Sequence, residues 1–259
     1  MRIDKYLFEN GFAQSRQKAK ETLEAGLVFV DGKQITKPSY EFDPETKSVE
    51  VKGKPYVYVS RGGVKLEGAL KAFEVDVSGF VCADIGSSTG GFTDCLLRSG
   101  AEKVFAVDSG TDQLHESLRG DTRIVLMENF NARNLSSKIL GERVDIAVCD
   151  LSFISQTYIY ASVSDILKDF GLFISLIKPQ FEAGREYLSK GGIVRDKKIH
   201  KRVIDNLLVS ARSHNLYCKA LTVSPIQGGD GNIEYLALFE KKETDGIGGY
   251  ILQADSSLF

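Results

Sequence analysis

The sequence lacks the marks of several large classes of protein. Its four cysteines, Cys82, Cys95, Cys149 and Cys218, are scattered, with no CxxC pair. That spacing offers neither a zinc site nor a disulfide framework, and it suits a reducing compartment. The longest apolar run, Gly171 to Ile177, falls far short of the roughly 20 residues needed to cross a bilayer. Residues Met1 to Tyr6 hold no apolar signal-peptide core, so a cytoplasmic chain without membrane association is expected. Excess charge is missing as well. A net charge of −2 means that any nucleic-acid-binding surface must be local. No internal repeat or low-complexity tract is present. What remains, 42% hydrophobic and 26% charged residues over 259 positions, is the composition of a folded globular chain. It has room for one large domain, or for a small module and a medium one.

Composition changes near residue 60. Residues 1–37 alternate short helical patterns with basic residues, and the turn-rich stretch Pro38 to Lys47 follows. Val49-Glu50-Val51 and Tyr56-Val57-Tyr58-Val59 read as strands on either side of the turn signal Lys52-Gly53-Lys54-Pro55. Ser60-Arg61-Gly62-Gly63 reads as a hinge before a helix from Lys65 to Phe73. From Val81 onward short apolar strands alternate with amphipathic helices, with strands expected at 81–85, 103–107, 123–127, 144–149, 171–177, 219–224 and 233–239. That alternation predicts α/β architecture with a mostly parallel, doubly wound sheet. The last two strands, joined through Gly228-Gly229-Asp230-Gly231, are expected to pair as an antiparallel hairpin at one edge. The expected organisation is a small α+β module over 1–59, a linker over 60–64, the α/β domain over 65–242 and a tail over 243–259.

The most informative stretch is Val81-Cys82-Ala83-Asp84-Ile85-Gly86-Ser87-Ser88-Thr89-Gly90-Gly91-Phe92. An apolar strand ends in an acid and a glycine, and a loop of small residues then opens a helix. Glycines let backbone approach a ligand closely, and a helix N-terminus favours negative groups. A second strand, Val104 to Val107, ends in Asp108, about 20 residues past the loop, where a Rossmann-type site sets a carboxylate on ribose hydroxyls. The loop is not G-x-G-x-x-G, and no GK[ST] follows, so neither a dinucleotide nor a P-loop is indicated. Its D-x-G-x-x-x-G-G form is similar to that of S-adenosylmethionine methyltransferases. The expected cofactor residues are Asp84, Gly86, Ser88, Gly90, Gly91 and Asp108, together with Asn131 beyond the third strand. No metal is expected.

The segment Cys149-Asp150-Leu151-Ser152-Phe153 has neither the Asp/Asn-Pro-Pro-aromatic motif of amino-group methyltransferases nor the Pro-Cys nucleophile of cytosine C5 enzymes. Cys149 precedes the acid inside a strand, and core packing is its expected role. Lys178 ends an apolar strand, and Glu234 lies at the start of another. Taken singly, each reads as a strand-end charge reaching water.

Together the motifs carry a resemblance. Lys65, Asp150, Lys178 and Glu234 follow the order K-D-K-E, which resembles the tetrad of FtsJ-like ribose 2′-O-methyltransferases. A closer resemblance is to the TlyA, or haemolysin A, family, through SRGGVKLEGAL, DIGSSTGGFTD, CDLSFIS, IKPQFEAGR, GGIVRD and GNIEYL. It implies a Rossmann-like, mostly parallel seven-stranded sheet and 2′-O-methylation of ribosomal RNA within ribosomal subunits. Cytidines of the small and large subunits are the family's targets. A ribose hydroxyl attacks a methyl group only as its proton leaves, so Lys178 is the expected base, with Lys65 supplying positive charge near it. Asp150 and Glu234 would orient the two lysines.

The first 33 residues are similar to the S4 RNA-binding domain, with two short helices followed by a G-x-V-x-V-x-G strand and turn. Arg2, Lys5, Arg16, Lys18, Lys20 and Lys33 are the expected RNA-binding residues on one basic face, with Ser15 capping the second helix. Relatives that modify both subunits carry extra basic residues before this pattern, so the large subunit is the first expected target. The readings from other classes are a membrane-lysing haemolysin, and a non-catalytic RNA-binding protein that senses S-adenosylmethionine.

Overall fold

The computed structural model describes residues 1–242 apart from residues 14, 54, 55, 190, 229 and 230. The tail over 243–259, and parts of the turns expected at 52–55 and 228–231, lie outside the described residues. Contacts divide the chain into two compact units between Val57 and Tyr58.

In the first unit, α1 (Ile3–Glu9) and α2 (Arg16–Glu24) precede β1 (Val28–Val30), β2 (Lys33–Ile35) and β3 (Val49–Val51). The strands form an antiparallel sheet in the order β2-β1-β3. Ser15 caps α2, its hydroxyl accepting the Lys18 N–H at 3.1 Å. Ile3 and Leu7 of α1, Ala19 and Leu23 of α2 and Val28, Val30 and Ile35 of the strands close over one small apolar core. Asp4 is fully buried beside that core and holds Arg2 at 3.0 Å and Arg16 at 2.7 Å. Burial alone would raise its carboxyl, but hydrogen bonds from Arg2 and Arg16 outweigh that and hold it below the usual carboxylate range.

The second unit runs α3 (Gly62–Ala72), β4 (Val81–Ile85), α4 (Gly91–Arg98), β5 (Lys103–Val107), α5 (Glu116–Arg119) and β6 (Ile124–Met127). It continues with α6 (Ser137–Leu140), β7 (Val144–Cys149), α7 (Tyr160–Ile166), β8 (Leu167–Ile177), α8 (Pro179–Glu182), α9 (Lys197–Arg212), β9 (Leu216–Val223) and β10 (Tyr235–Lys241). The sheet order is β6-β5-β4-β7-β8-β10-β9. Strands β4 to β8 are parallel, and β10 enters antiparallel to both β8 and β9. Alternate residues of each strand face opposite layers. Ala83, Ile85, Ala147 and Phe173 pack under α7 and α9, whereas Cys82, Val104, Ile146 and Ile174 pack under α3 and α4. Burial on both faces explains why the strands read as continuous apolar runs. Cys149 is fully buried in this core.

Three expectations are corrected. Tyr56 to Val59 form no strand; the Val59 N–H donates to the Asp94 carboxylate at 2.9 Å, not to a sheet partner. The helix expected from Lys65 begins three residues earlier, because α3 takes in Gly62 and Gly63 of the expected hinge. There a side chain on Gly63 would meet the Tyr58 ring at 2.3 Å. β8 starts four residues before the expected Gly171, with Phe170 in the left-handed region at φ 61° and a register shift against β7.

A second glycine in α3, Gly68, tests packing against propensity. A Cβ there would lie 2.7 Å from the Pro225 ring. Alanine is intrinsically better in a helix by about 1 kcal/mol, but overpacking a close contact costs about 1–3 kcal/mol. Gly68→Ala is therefore expected to lower the thermal unfolding midpoint. A stabilised variant would show that α3 moves away from Pro225 without penalty.

Candidate active site

In this sheet the chain order reverses between β4 and β7, and a doubly wound fold binds ligands outside the carboxyl ends of the strands at such a point. A cleft of about 360 Å³ lies there. Its walls are the loop after β4 (Gly86, Ser88), the end of β5 (Asp108, Ser109), the segment after β6 (Phe130, Asn131) and the run after β7 from Asp150 to Ile154.

Of the expected cofactor residues, Gly86, Ser88, Asp108 and Asn131 line the cleft, whereas Asp84, Gly90 and Gly91 do not. Gly86 has φ +81°, and a Cβ there would come 2.9 Å from the Asp150 carbonyl oxygen, so only glycine lets the loop pass β7. Gly90 has φ +90° and is backed by Leu114 and Leu118, each 2.6 Å from where its Cβ would stand. Gly91 is a packing residue: a Cβ would meet Ser60 Oγ at 2.2 Å. Asp108 holds the loop in shape. Its two oxygens accept the Ser88 N–H at 2.8 Å and the Gly110 N–H at 2.7 Å. Asn131 caps the turn Ala132–Asn134 by accepting the Arg133 N–H at 3.0 Å. Beneath the loop Asp84 is fully buried and accepts the Thr93 hydroxyl at 2.6 Å. Burial pushes its carboxyl up to about 7; the Thr93 hydrogen bond opposes that rise, and the charges of Asp150 and Asp108 add to it.

The four charged residues of the K-D-K-E order come to the same sheet edge as two ion pairs. Lys65 Nζ meets Glu234 Oε2 at 2.5 Å, and Lys178 Nζ meets Asp150 Oδ1 at 2.5 Å. Lys65, Lys178 and Glu234 are 4%, 8% and 2% exposed. They are therefore not strand-end charges reaching water. A buried ion without a partner costs several kcal/mol, so burial of both lysines demands these carboxylates. The reversed direction of β10 makes this possible. Tyr235 pairs with Ile177, so Glu234 comes level with Lys178 although the chain enters β10 where it leaves β8.

Sequence reasoning missed several supporting residues. Ser152 accepts from Lys178 Nζ at 2.9 Å, and Gln180 donates to Glu234 at 3.3 Å. Both lie within quoted motifs, at short spacing from the charged residues, which is the signal that could have found them. Gln156 is buried. It binds the Ser175 hydroxyl and the Leu176 carbonyl oxygen, and its N–H donates to Glu182 at 2.9 Å. That bridge ties the segment after Asp150 to the one after Lys178. Phe153 is 85% exposed at φ 67°, its ring 5.0 Å from that of Phe181.

Residues 58–241 match the model for FtsJ-like methyltransferases, and residues 1–47 match that for the S4 domain. The chain belongs to the FtsJ-like methyltransferase family. It is 42% identical over 247 residues to the 16S/23S rRNA (cytidine-2′-O)-methyltransferase TlyA of Mycobacterium tuberculosis, covering 94% of this chain and 91% of that one. It is also 42% identical over 240 residues to hemolysin A of Brachyspira hyodysenteriae, covering 92% and 99%. A solved structure from Streptococcus thermophilus, described as a hemolysin, superposes with a TM-score of 0.75 at 42% identity, covering 94% of this chain and 89% of that one. The Rossmann-like seven-stranded sheet behind an S4 domain is thus the family's fold, and the methyl donor is S-adenosylmethionine. The residues fit that donor. The Gly86 backbone lines the cleft beside the polar side chains of Ser88, Asp108 and Asn131, and among the described residues the buried Asp84 Oδ1 and Ser87 Oγ have no hydrogen-bond partner.

The S4 unit divides the expected RNA-binding residues. Arg2 and Arg16 meet at Asp4, and Lys20 follows Arg16 by one helical turn. Lys18 does not share that face. At about 100° per residue it lies on nearly the opposite side of α2 from both, 3.5 Å from the buried Glu21. Lys5 pairs with Glu9 at 3.6 Å, and Lys33 is exposed at the start of β2.

Two outcomes are expected at the cofactor cleft. Asp108→Ala should weaken S-adenosylmethionine about 10- to 100-fold, the worth of charge-assisted hydrogen bonds of roughly 1.5–3 kcal/mol; unchanged affinity by calorimetry would place the ribose elsewhere. Asp84 makes stability depend on pH. Between pH 3.8 and about 7 the unfolded chain has released this proton while the folded chain keeps it, so stability falls as pH rises through that window. The loss at pH 8 is on the order of 4 kcal/mol. Asp84→Asn cannot ionise, so its unfolding midpoint should gain on the wild type between pH 5 and pH 8. A constant difference would mean that Asp84 ionises normally.

Proposed function

We propose that this methyltransferase modifies ribosomal RNA at a ribose 2′-hydroxyl of cytidine, within ribosomal subunits in the cytoplasm. The observation that carries the reading is the pair of buried lysine–carboxylate contacts beside the cleft. The Mycobacterium tuberculosis relative, named for the same reaction, supports it. The S4 unit before Ser60 is the part expected to hold the RNA by shape and phosphates.

S-adenosylmethionine supplies an electrophilic methyl group on a sulfonium. On the protein side, Lys178 is the proton acceptor. Ser152 and Asp150 hold its Nζ at 2.9 and 2.5 Å, which fixes the atom that meets the hydroxyl. As the oxygen bonds to the methyl carbon and the methyl–sulfur bond breaks to leave a neutral thioether, the hydroxyl proton passes to the lone pair of Lys178 Nζ. Lys65, held by Glu234, supplies positive charge toward the developing alkoxide. Gly86, Ser88, Asp108 and Asn131 hold the donor, and alignment of hydroxyl with methyl contributes as much as proton removal. The exposed ring of Phe153 offers a face on which an unstacked base can lie.

No specific observation favours the lytic activity in the names of two relatives. Among the described residues no helix is long and apolar enough to cross a membrane.

Lys178→Ala should reduce methyl transfer to ribosomal RNA by at least about 100-fold, the lower range for removing a general base. Lys178→Arg should fail as well, because a guanidinium stays protonated. Both should bind S-adenosylmethionine normally. The assay is radiolabelled transfer to separated small and large subunits, with the modified nucleotide mapped. Near-normal turnover by the arginine variant would leave Lys178 only an electrostatic role, and transfer to neither subunit by the wild type would refute the substrate.

A further inference from the structure

The charge missing from the chain as a whole is concentrated in one place. Residues 185–202 hold seven Lys and Arg against two acids, in a sequence whose net charge is −2. Lys197, Lys198, Lys201 and Arg202 are all exposed in the first two turns of α9, which is held to the core by the buried Val203, Ile204, Leu207 and Ala211. Lys201 is neutralised by Asp205 at 2.7 Å, and Arg202 stacks on Tyr187 at 4.2 Å. Arg195, Lys197 and Lys198 are exposed and, among the described residues, make no ion pair. Asp196 between them is occupied in capping α9, accepting the Lys198 N–H at 2.8 Å.

This cationic surface is fastened to the sheet edge that holds Glu234. Asn232, two residues before Glu234, accepts the Val194 N–H at 3.3 Å and donates to the Gly192 carbonyl oxygen at 3.2 Å. Tyr235, the residue after Glu234, bonds through its hydroxyl to the buried His200 at 2.8 Å. His200 donates in turn from Nε2 to the Val194 carbonyl oxygen at 2.8 Å. The residues on both sides of Glu234 therefore grip the segment that presents Arg195, Lys197 and Lys198.

We propose that Arg195, Lys197 and Lys198 form an RNA contact of the methyltransferase unit itself, taking phosphates of the strand that flanks the target nucleotide. The proposal rests on the substrate reading above. A polyanion is the partner that three clustered, unpaired cations fit, and their anchorage beside Glu234 sets the contact close to the reacting ribose. Such a contact reads backbone rather than sequence. It registers the strand over the ion pairs.

The test uses the full chain and a protein-free ribosomal RNA transcript, with affinity read by fluorescence anisotropy across a salt series. The variant Arg195→Gln/Lys197→Gln/Lys198→Gln should bind about 10- to 100-fold more weakly at 0.1 M salt, and its salt slope should be shallower by about 2. Its S-adenosylmethionine affinity should be unchanged, which reports an intact fold. A control of equal charge, Lys103→Gln/Lys138→Gln/Lys168→Gln, should bind RNA within a few-fold of the wild type. Wild-type affinity in the first variant, or an equal loss in the control, would overturn the proposal. So would normal binding to free RNA with loss of methylation only on assembled subunits, because the surface would then face protein. Failure of the substrate reading is separable: the wild type would transfer no methyl to ribosomal RNA, whereas a loss of transcript affinity confined to the first variant would still stand.

Discussion

Taking Lys65, Lys178 and Glu234 out of water at one edge of a sheet is the constraint on which the arrangement of the second unit depends. Each lysine needs a carboxylate within contact distance, and the two carboxylates come from different strands. Asp150 follows β7, beside β8 and Lys178. Glu234 reaches the same edge only because β10 runs against its neighbours, so that its beginning lies where the others end. Lys65 arrives from a helix, and α3 must pack closely enough to bring it over β10. The close approaches at Gly63 and Gly68 are part of that packing. Two paired charges of each sign leave the site close to neutral, so removing any one of the four exposes a buried partner.

The cofactor cleft is built on another principle. Its shape is set by backbone: two glycines in left-handed conformations, Ser88 beside them at φ 46°, and an aspartate whose two oxygens are engaged by loop N–H groups. Asp108 is consequently both a wall of the cleft and the strut of the loop. Glu128 does the same for the next segment, accepting the N–H groups of Asp112, Gln113 and Leu114 at 2.9, 2.7 and 3.1 Å. Those bonds, led by the one from Leu114, hold its carboxyl below the usual range.

Much of this is legible in the sequence, for physical reasons. Strands buried on both faces must be apolar throughout, so the alternation of the α/β sheet shows. The glycine loop shows because its conformations exclude other residues. The order of Lys65, Asp150, Lys178 and Glu234 shows as charge where a core is expected. Tertiary competition stays hidden. Tyr56 to Val59 have the composition of a strand, yet the Val59 N–H is taken by Asp94. Gly91 reads as a cofactor glycine, yet Ser60 occupies the space its side chain would need. Arg2 and Arg16 read as free cations, and only the fold reveals Asp4 beneath them. Lys18 belongs to the basic pattern by spacing along the chain but not by angle around α2.

The position of β10 between β8 and β9 bears on the order in which the molecule can assemble. During synthesis the strands that wall the cofactor cleft, β4 to β7, emerge early and pair through short crossovers. β8 follows and pairs with β7, but β9, which emerges after it, has no neighbour in the sheet until β10 exists, because β10 separates it from β8. The last described strand is thus an insertion into a gap and not an addition to an edge, and it carries Glu234 with it. Until that insertion Lys65 lacks its counter-ion, which penalises its burial and keeps α3 from settling. A nascent chain can therefore complete its cofactor cleft well before its charged edge. A chain stopped short of Tyr235 would have the loop and the cleft but not the pair that Lys65 and Glu234 make.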